Sequence, residues 1–265
     1  MSARHLSTAF KVAEAVLRPP LSTLTRRDWQ GGEHLLRDRG FVAASNHLSY
    51  ADPFTLAHFL LDHGCPPRFL AKDAVFRIPV AGRIIAGAGQ IPVYRETSDA
   101  GLALVAAVEA VRAGECVAVY PEGTLTRDPG LWPMVGKTGA ARIALTTGCP
   151  VIPVAQWGAH RLIAPYGKLP RVLWRPRLVH VWAGPAVDLS AWRGRAIDAD
   201  VLAGATEAVL AAITRLLERI RGEVAPLRRW DPREHGQERL GPFRRGGGTG
   251  HAAGEVPAVD EDGVR

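Results

Sequence analysis

The sequence predicts an α/β protein: one domain with a mixed, mostly parallel β-sheet flanked by helices. Three observations carry the prediction. The short apolar runs Phe41 to Ala44, Cys116 to Tyr120 and Val151 to Ala155 have the length and uniformity of buried strands. The segments between them show helical spacing or helix punctuation. Strand-like and helix-like segments then alternate along the chain, which is the pattern of a sheet covered by helices.

Composition sets the bounds. At 265 residues with 47% hydrophobic content, the chain has ample material for one large core. Its three cysteines, Cys65, Cys116 and Cys149, form no Cys-x-x-Cys pair, so neither a disulfide framework nor a zinc site is expected, and a reducing, cytosol-facing setting is. No apolar run near the N-terminus has the length of a cleaved signal or a membrane span. The net charge is +7, and its excess lies in the body of the chain, because residues from Pro226 onward balance seven Arg against seven acidic residues. Between Asp128 and Asp188 there is no acidic residue, while Lys137, Arg142, Arg161, Lys168, Arg171, Arg175 and Arg177 interleave with Trp132, Trp157, Trp174 and Trp182. That mixture suits an anionic lipid surface, a phosphorylated ligand or nucleic acid, and it also suits a solvated basic face over core tryptophans.

In chain order, Leu6, Phe10, Ala13 and Leu17 form the apolar stripe of an amphipathic N-terminal helix within residues 1–25, which Pro19-Pro20 is expected to stop. Trp29 to Arg39 reads as a polar connection. After the strand at Phe41, residues Pro53 to His63 read as a helix with Asp52 as N-cap, Pro53 at its first position and Gly64 past its end. Arg68 to Ala71 reads as a strand leading to Lys72, Ile78 to Ala88 as a short helix, and Gln90 to Tyr94 as a strand that delivers Arg95. Ser98 caps a helix closed by Gly114, and Lys137 to Thr147 forms another, stopped by Gly148. Pro153 marks its strand as irregular or as an edge. Arg171 to Ala183 alternates like a hairpin or a long strand at the sheet edge. Val201, Ala205, Ala208, Ala212, Leu216 and Ile220 stripe a helix over 198–221. The domain is therefore placed at 26–224, and the Arg-, Gly- and Pro-rich residues 225–265 are read as a disordered tail.

Polar clusters end three strands: Asn46-His47 with Asp52, Arg95, and Glu122-Gly123-Thr124. With parallel strands all three open on one sheet edge, where α/β folds place their chemistry. Histidine is the natural base near neutral pH, and a carboxylate beside it fixes the tautomer and stabilises the imidazolium. Arg95 and Lys72 supply charge for a phosphate. No Gly-x-Ser-x-Gly is present, so Ser49 and Thr124 are poor nucleophiles, and His58 and His63 lack metal-ligand spacing. Gly87-Ala88-Gly89 follows no strand and lacks the dinucleotide fingerprint. Taken alone, Asp52 is equally well explained as a helix cap and His47 as a polar loop residue.

A histidine base without a protein nucleophile implies direct transfer to a substrate hydroxyl. Over roughly residues 40–190 the chain resembles the PlsC-like glycerolipid acyltransferases, the family of 1-acylglycerol-3-phosphate O-acyltransferase. The family's Asn-His-x4-Asp motif is met by Asn46, His47 and Asp52, and its short strand ending in arginine by Ile91 to Arg95. Its Phe-Pro-Glu-Gly-Thr-Arg-Ser motif is met by Tyr120 to Thr126, and its Val-Ile-Pro-Val-like strand by Val151 to Val154. Ala71-Lys72 is similar to the family's usual lysine step. Leu125 departs from the motif arginine, with Arg127 two residues later, as do Pro92 and Tyr94 from the usual second motif.

The resemblance implies the glycerolipid acyltransferase fold and acyl transfer from acyl-CoA or acyl-carrier protein to the sn-2 hydroxyl of 1-acylglycerol 3-phosphate, without a cofactor or metal. His47 and Asp52 would be catalytic; Asn46, Lys72, Arg95, Glu122, Gly123 and Thr124 would bind substrate. It further implies peripheral attachment to an anionic membrane surface on its cytoplasmic face, with a lysophospholipid acceptor and no nucleic-acid partner. The departures leave open the same chemistry on glycerol 3-phosphate, a lyso-ornithine lipid or a glycolipid hydroxyl. A non-catalytic lipid-binding module is the competing class, and it gives His47, Asp52 and Glu122 no joint role.

Overall fold

A computed structural model describes residues 7–94, 100–167 and 175–237. Arg95 and Ser98, Lys168, Arg171 and Trp174 of the basic window, and the tail from residue 238 lie outside the described residues. The chain divides into a unit of residues 1–231 that carries the whole sheet, and a unit of residues 232–265 with a short 3-10 helix at Pro232–His235.

The sheet has seven strands: β1 (Thr25–Gln30), β2 (Phe41–Ser45), β3 (Pro67–Lys72), β4 (Ile91–Val93), β5 (Cys116–Val119), β6 (Val151–Trp157) and β7 (Arg177–Ala183), in the order β1-β7-β6-β2-β5-β3-β4. β6, β2, β5, β3 and β4 run parallel, while β7 is antiparallel to β6 and carries β1 parallel to itself. The expected mixed, mostly parallel sheet is therefore present. The central strands are apolar throughout because both faces are covered. Val42, Ala44, Val117, Val119 and Val151 point into one core with α5 (Ala100–Arg112), α6 (Gly139–Thr147) and α7 (Ala199–Arg221). Phe41, Ala43, Cys116, Ala118, Ile152 and Val154 point into the other, against α2 (Asp52–Asp62). Gly40 permits the approach of α5 to the start of β2, since a Cβ there would meet the Val111 carbonyl oxygen at 1.9 Å.

Several expectations need correction. β1 occupies Thr25–Gln30, where the sequence suggested the end of a helix and a polar connection; as an edge strand with Arg26, Arg27 and Gln30 exposed it shows no apolar run. β7 is consequently the second strand, not the edge. Pro153 lies inside the sheet: the antiparallel ladder to β7 starts only at Val154, and Pro153 merely accepts the Gly184 N–H, so its missing donor is not needed. The N-terminal helix α1 (Thr8–Leu24) runs through Pro19-Pro20, with the Thr23 hydroxyl donating to the Pro19 and Pro20 carbonyls. The short helix expected within Ile78 to Ala88 is present as α4 (Ala81–Gly87), and a further short helix, α3 (Asp73–Phe76), precedes it where none was expected. Residues 225–231 are not a loose tail: the Ala225 N–H donates to Glu218, and the Trp230 carbonyl accepts the Val135 N–H.

Candidate active site

The site is built where β2 ends and α2 begins. Asn46 locks the end of β2 to β6 across 110 residues of sequence: its Nδ2 donates to the Gln156 carbonyl at 3.0 Å and its Oδ1 accepts the Gln156 N–H at 2.8 Å. The next residue, His47, is thereby delivered at the carboxyl edge of the parallel strands, with 14% of its side chain exposed. Asn46 is 1% exposed, with its side-chain amide spent on the backbone of β6 beside the histidine.

Asp52 is not the N-cap. Ala51 takes that position without a side-chain capping bond, and Asp52 is the first residue of α2. Its fully buried carboxylate turns back on the preceding loop. One oxygen, Oδ2, accepts the Leu48 N–H, the Ser49 N–H at 2.8 Å and His47 Nδ1 at 2.9 Å. An ionised carboxylate only accepts, so Nδ1 carries the proton and Nε2 is left as the basic nitrogen. The positive end of the α2 dipole favours the negative charge at this position.

Glu122 seats the histidine from the other side. It is fully buried after β5, and its two oxygens accept the His47 N–H at 2.9 Å and the Met134 N–H at 3.1 Å. The Thr126 N–H donates to the His47 carbonyl at 2.8 Å, so both polar atoms of the His47 peptide are held by one loop. Burial pushes the Glu122 carboxyl up to about 8, aided by the Asp52 charge and opposed by its backbone donors. The His47 ring stacks on Tyr120 with centroids 4.1 Å apart. Like Asn46, Glu122 is buried and bonded to backbone beside the histidine.

Of the remaining candidates, Gly123 (φ +72°) lies under the Lys137 side chain, whose Cδ would be 3.0 Å from a Cβ at that position. Thr124 is half-buried beside it, and Lys72 is exposed at the carboxyl end of β3, two strands from β2. Arg95 lies outside the described residues, though β4, which precedes it, pairs with β3 in the expected sense. The sequence reading missed four residues. Gln156 receives Asn46 and also bonds Ser45 and Thr55. Tyr120 and Lys137 flank the site, and Tyr166 donates its hydroxyl to the Leu125 and Thr126 carbonyls. Tyr120 carried a signal as the first residue of the Tyr120 to Thr126 motif, and Lys137 by its place in the acid-free window. Among the described residues no group of His, Cys, Asp and Glu is arranged to hold a metal ion.

The raised Glu122 pKa has a consequence for stability. Folded Glu122 keeps its proton to about pH 8, whereas the unperturbed group releases it near 4.5. The native state therefore binds the extra proton in that window, and stability falls as pH rises through it. Glu122→Gln removes the titration, although its amide nitrogen must face one of two backbone donors and lowers stability overall. Urea unfolding at pH 5, 6.5 and 8 is expected to show a flatter profile for Glu122→Gln than for the wild type; an unchanged slope contradicts the assignment.

Comparison with known proteins agrees with this geometry. The family model described as Acyltransferase matches residues 26–157. The chain is 35% identical over 140 residues to the 1-acyl-sn-glycerol-3-phosphate acyltransferase BAT2, chloroplastic, of Brassica napus, covering 52% of this chain and 39% of that protein. It is 30% identical over 131 residues to the 1-acyl-sn-glycerol-3-phosphate acyltransferase of Borreliella burgdorferi, covering 49% of this chain and 50% of that protein. The chain thus spans half or less of the length of these curated relatives. Its fold superposes on the crystal structure of the 1-acyl-sn-glycerophosphate (LPA) acyltransferase PlsC from Thermotoga maritima with a TM-score of 0.62 and 25% identity, covering 82% of this chain and 81% of that one. With motifs, sheet and superposition in agreement, the chain belongs to the PlsC-like acyltransferase family.

Proposed function

We propose that the protein transfers a fatty acyl group from acyl-CoA or acyl-carrier protein to the sn-2 hydroxyl of 1-acylglycerol 3-phosphate. The observation that carries this is the bond from His47 Nδ1 to the buried Asp52 carboxylate, 2.9 Å, which reserves Nε2 for a substrate proton. The acceptor hydroxyl gives that proton to Nε2 as its oxygen attacks the thioester carbonyl. The tetrahedral intermediate then collapses, the carbon–sulfur bond breaks, and the imidazolium, stabilised by Asp52, returns the proton to the thiolate. Nothing in this sequence of steps calls for a cofactor.

Direct transfer is supported by where the nearby hydroxyls point. Ser49 Oγ donates to the Ile163 carbonyl at 2.6 Å and Thr126 Oγ1 to the Trp132 carbonyl at 2.6 Å, so neither is directed at His47 as a nucleophile would be. Lys72, Lys137 and Arg95 are the cations proposed to meet the acceptor phosphate, with Gly123 and Thr124 shaping the approach. A second reading, with a different lyso-lipid or glycerol 3-phosphate as acceptor, is favoured by one observation. Leu125, standing where the family has arginine, is 2% exposed and offers no charge, while Arg127, 4% exposed, bonds the Tyr166 hydroxyl.

A diacyl product belongs in a bilayer, and among the described residues no helix is long and apolar enough to cross one. We therefore place the protein peripherally on the cytoplasmic face of the membrane. Val12, Val16 and Leu17 on α1 are exposed, as are Ile78 and Val80 before α4, which α1 contacts through the Ser7 hydroxyl on the Gly87 carbonyl. Lys11, Arg18, Arg77 and Arg83 accompany these apolar side chains in sequence, the combination that anionic headgroups favour.

His47→Ala is expected to lower turnover of lysophosphatidate with acyl-CoA by about 10² to 10⁴-fold with the circular dichroism spectrum unchanged. Full activity in that folded variant rejects the base assignment, and a panel of acceptors with one labelled donor separates the two readings. Sedimentation with phosphatidylglycerol vesicles should exceed that with phosphatidylcholine vesicles and fall with added salt; equal binding to both contradicts the peripheral, charge-assisted attachment.

A further inference from the structure

From Tyr120 to Thr138 the chain forms neither helix nor strand, yet this loop holds both polar atoms of the His47 peptide. Its shape must come from tethers, and several of these come from the end of α7 and the residues that follow it. After Gly222 the chain runs back along that helix. Ala225 meets Glu218, and Arg229 meets Thr214 and then Glu207. The Arg229 guanidinium grips both Glu207 oxygens at 2.9 Å through Nε, bonds Thr214 Oγ1 at 2.9 Å, and reaches the Pro133 carbonyl at 3.4 Å. Its neighbour Trp230 accepts the Val135 N–H at 3.1 Å.

Pro133 and Val135 flank Met134, which is fully buried and whose N–H donates to Glu122. Glu122 in turn accepts the His47 N–H. The last residue of α7, just before the strap, also holds the loop. Arg221 donates to the Gly130 carbonyl at 2.8 Å, with its guanidinium carbon 3.9 Å from the Trp132 ring centroid and 4.3 Å from that of Trp157. An arginine–glutamate pair with a 60% exposed glutamate contributes little to stability by itself. What the arrangement does supply is a fixed position for the Met134 peptide.

We propose that Arg229, within the strap 222–230, is a positioning residue for His47, acting through Pro133, Met134 and Glu122. The proposal rests on the reading of His47 as the base. Loosening the strap lets the Met134 peptide withdraw from Glu122, and Glu122 is then free to shift the His47 backbone. The path from Arg229 ends at the His47 peptide, so the cost falls on the chemical step, where small misplacements of a catalytic group are severe.

The chain has two methionines, Met1 and Met134, so in protein labelled with [15N]methionine the Met134 backbone amide is assigned as the signal that disappears in Met134→Leu. Arg229→Ala is expected to accelerate exchange of that amide with solvent and to lower kcat about tenfold or more, with KM for acyl-CoA unchanged. Glu207→Gln is expected to do both to a smaller extent, and Arg215→Ala, on the exposed side of α7, to do neither. A folded Arg229→Ala protein with unchanged Met134 exchange, or with faster exchange and unchanged kcat, overturns the proposal. Should Arg229→Ala fail to fold, Glu207→Gln decides by the same two readouts. A fully active His47→Ala protein would remove the base assignment on that result alone, and Met134 exchange would still decide whether the strap holds the loop.

Discussion

Everything at this site depends on one oxygen. Asp52 Oδ2 collects two backbone N–H groups and the His47 ring, while the rest of its carboxylate is sealed from water. A buried carboxylate that met only the imidazole would be costly to ionise. The N–H groups of Leu48 and Ser49, together with the start of α2, offset that cost and keep the charge where the imidazolium forms. The same bonds fix the turn from β2 into α2, so one interaction both shapes the backbone and sets the chemistry of the ring.

Glu122 complements Asp52 from the other side of the histidine. Burial favours its neutral form near pH 7, which avoids a second full negative charge beside Asp52 and leaves the pair with distinct tasks. Asp52 governs the ring of His47, and Glu122 governs its peptide. The family's two acidic motifs, separated by 70 residues of sequence, thus converge on one histidine from opposite sides.

The five parallel strands and the helices between them were legible because double-sided burial leaves apolar runs that end in glycine, proline or a capping residue. The positions of His47, Lys72 and Glu122 at or just past strand ends followed from those same runs. β1 was not legible, since an edge strand with half its side chains in water has a polar sequence, and α1 was read as ending at Pro19, whereas it runs on to Leu24 with the Thr23 hydroxyl meeting both proline carbonyls. Asp52 was correctly paired with His47 but for an incomplete reason. A cap and a first-turn residue look alike in sequence, and only the coordinates distinguish a carboxylate facing forward from one turned back. Gln156 and Arg229 could not be read at all, because their partners lie 110 and 96 residues away and no local pattern records such a bond.

The most direct test of this account is the neutral tautomer of His47, read from ring-15N-labelled protein by the histidine signal that disappears in His47→Ala. The account predicts a protonated Nδ1 and a pyridine-type Nε2, with the preference lost in Asp52→Ala. A wild-type ring protonated at Nε2, or one whose tautomer is indifferent to Asp52, would contradict it.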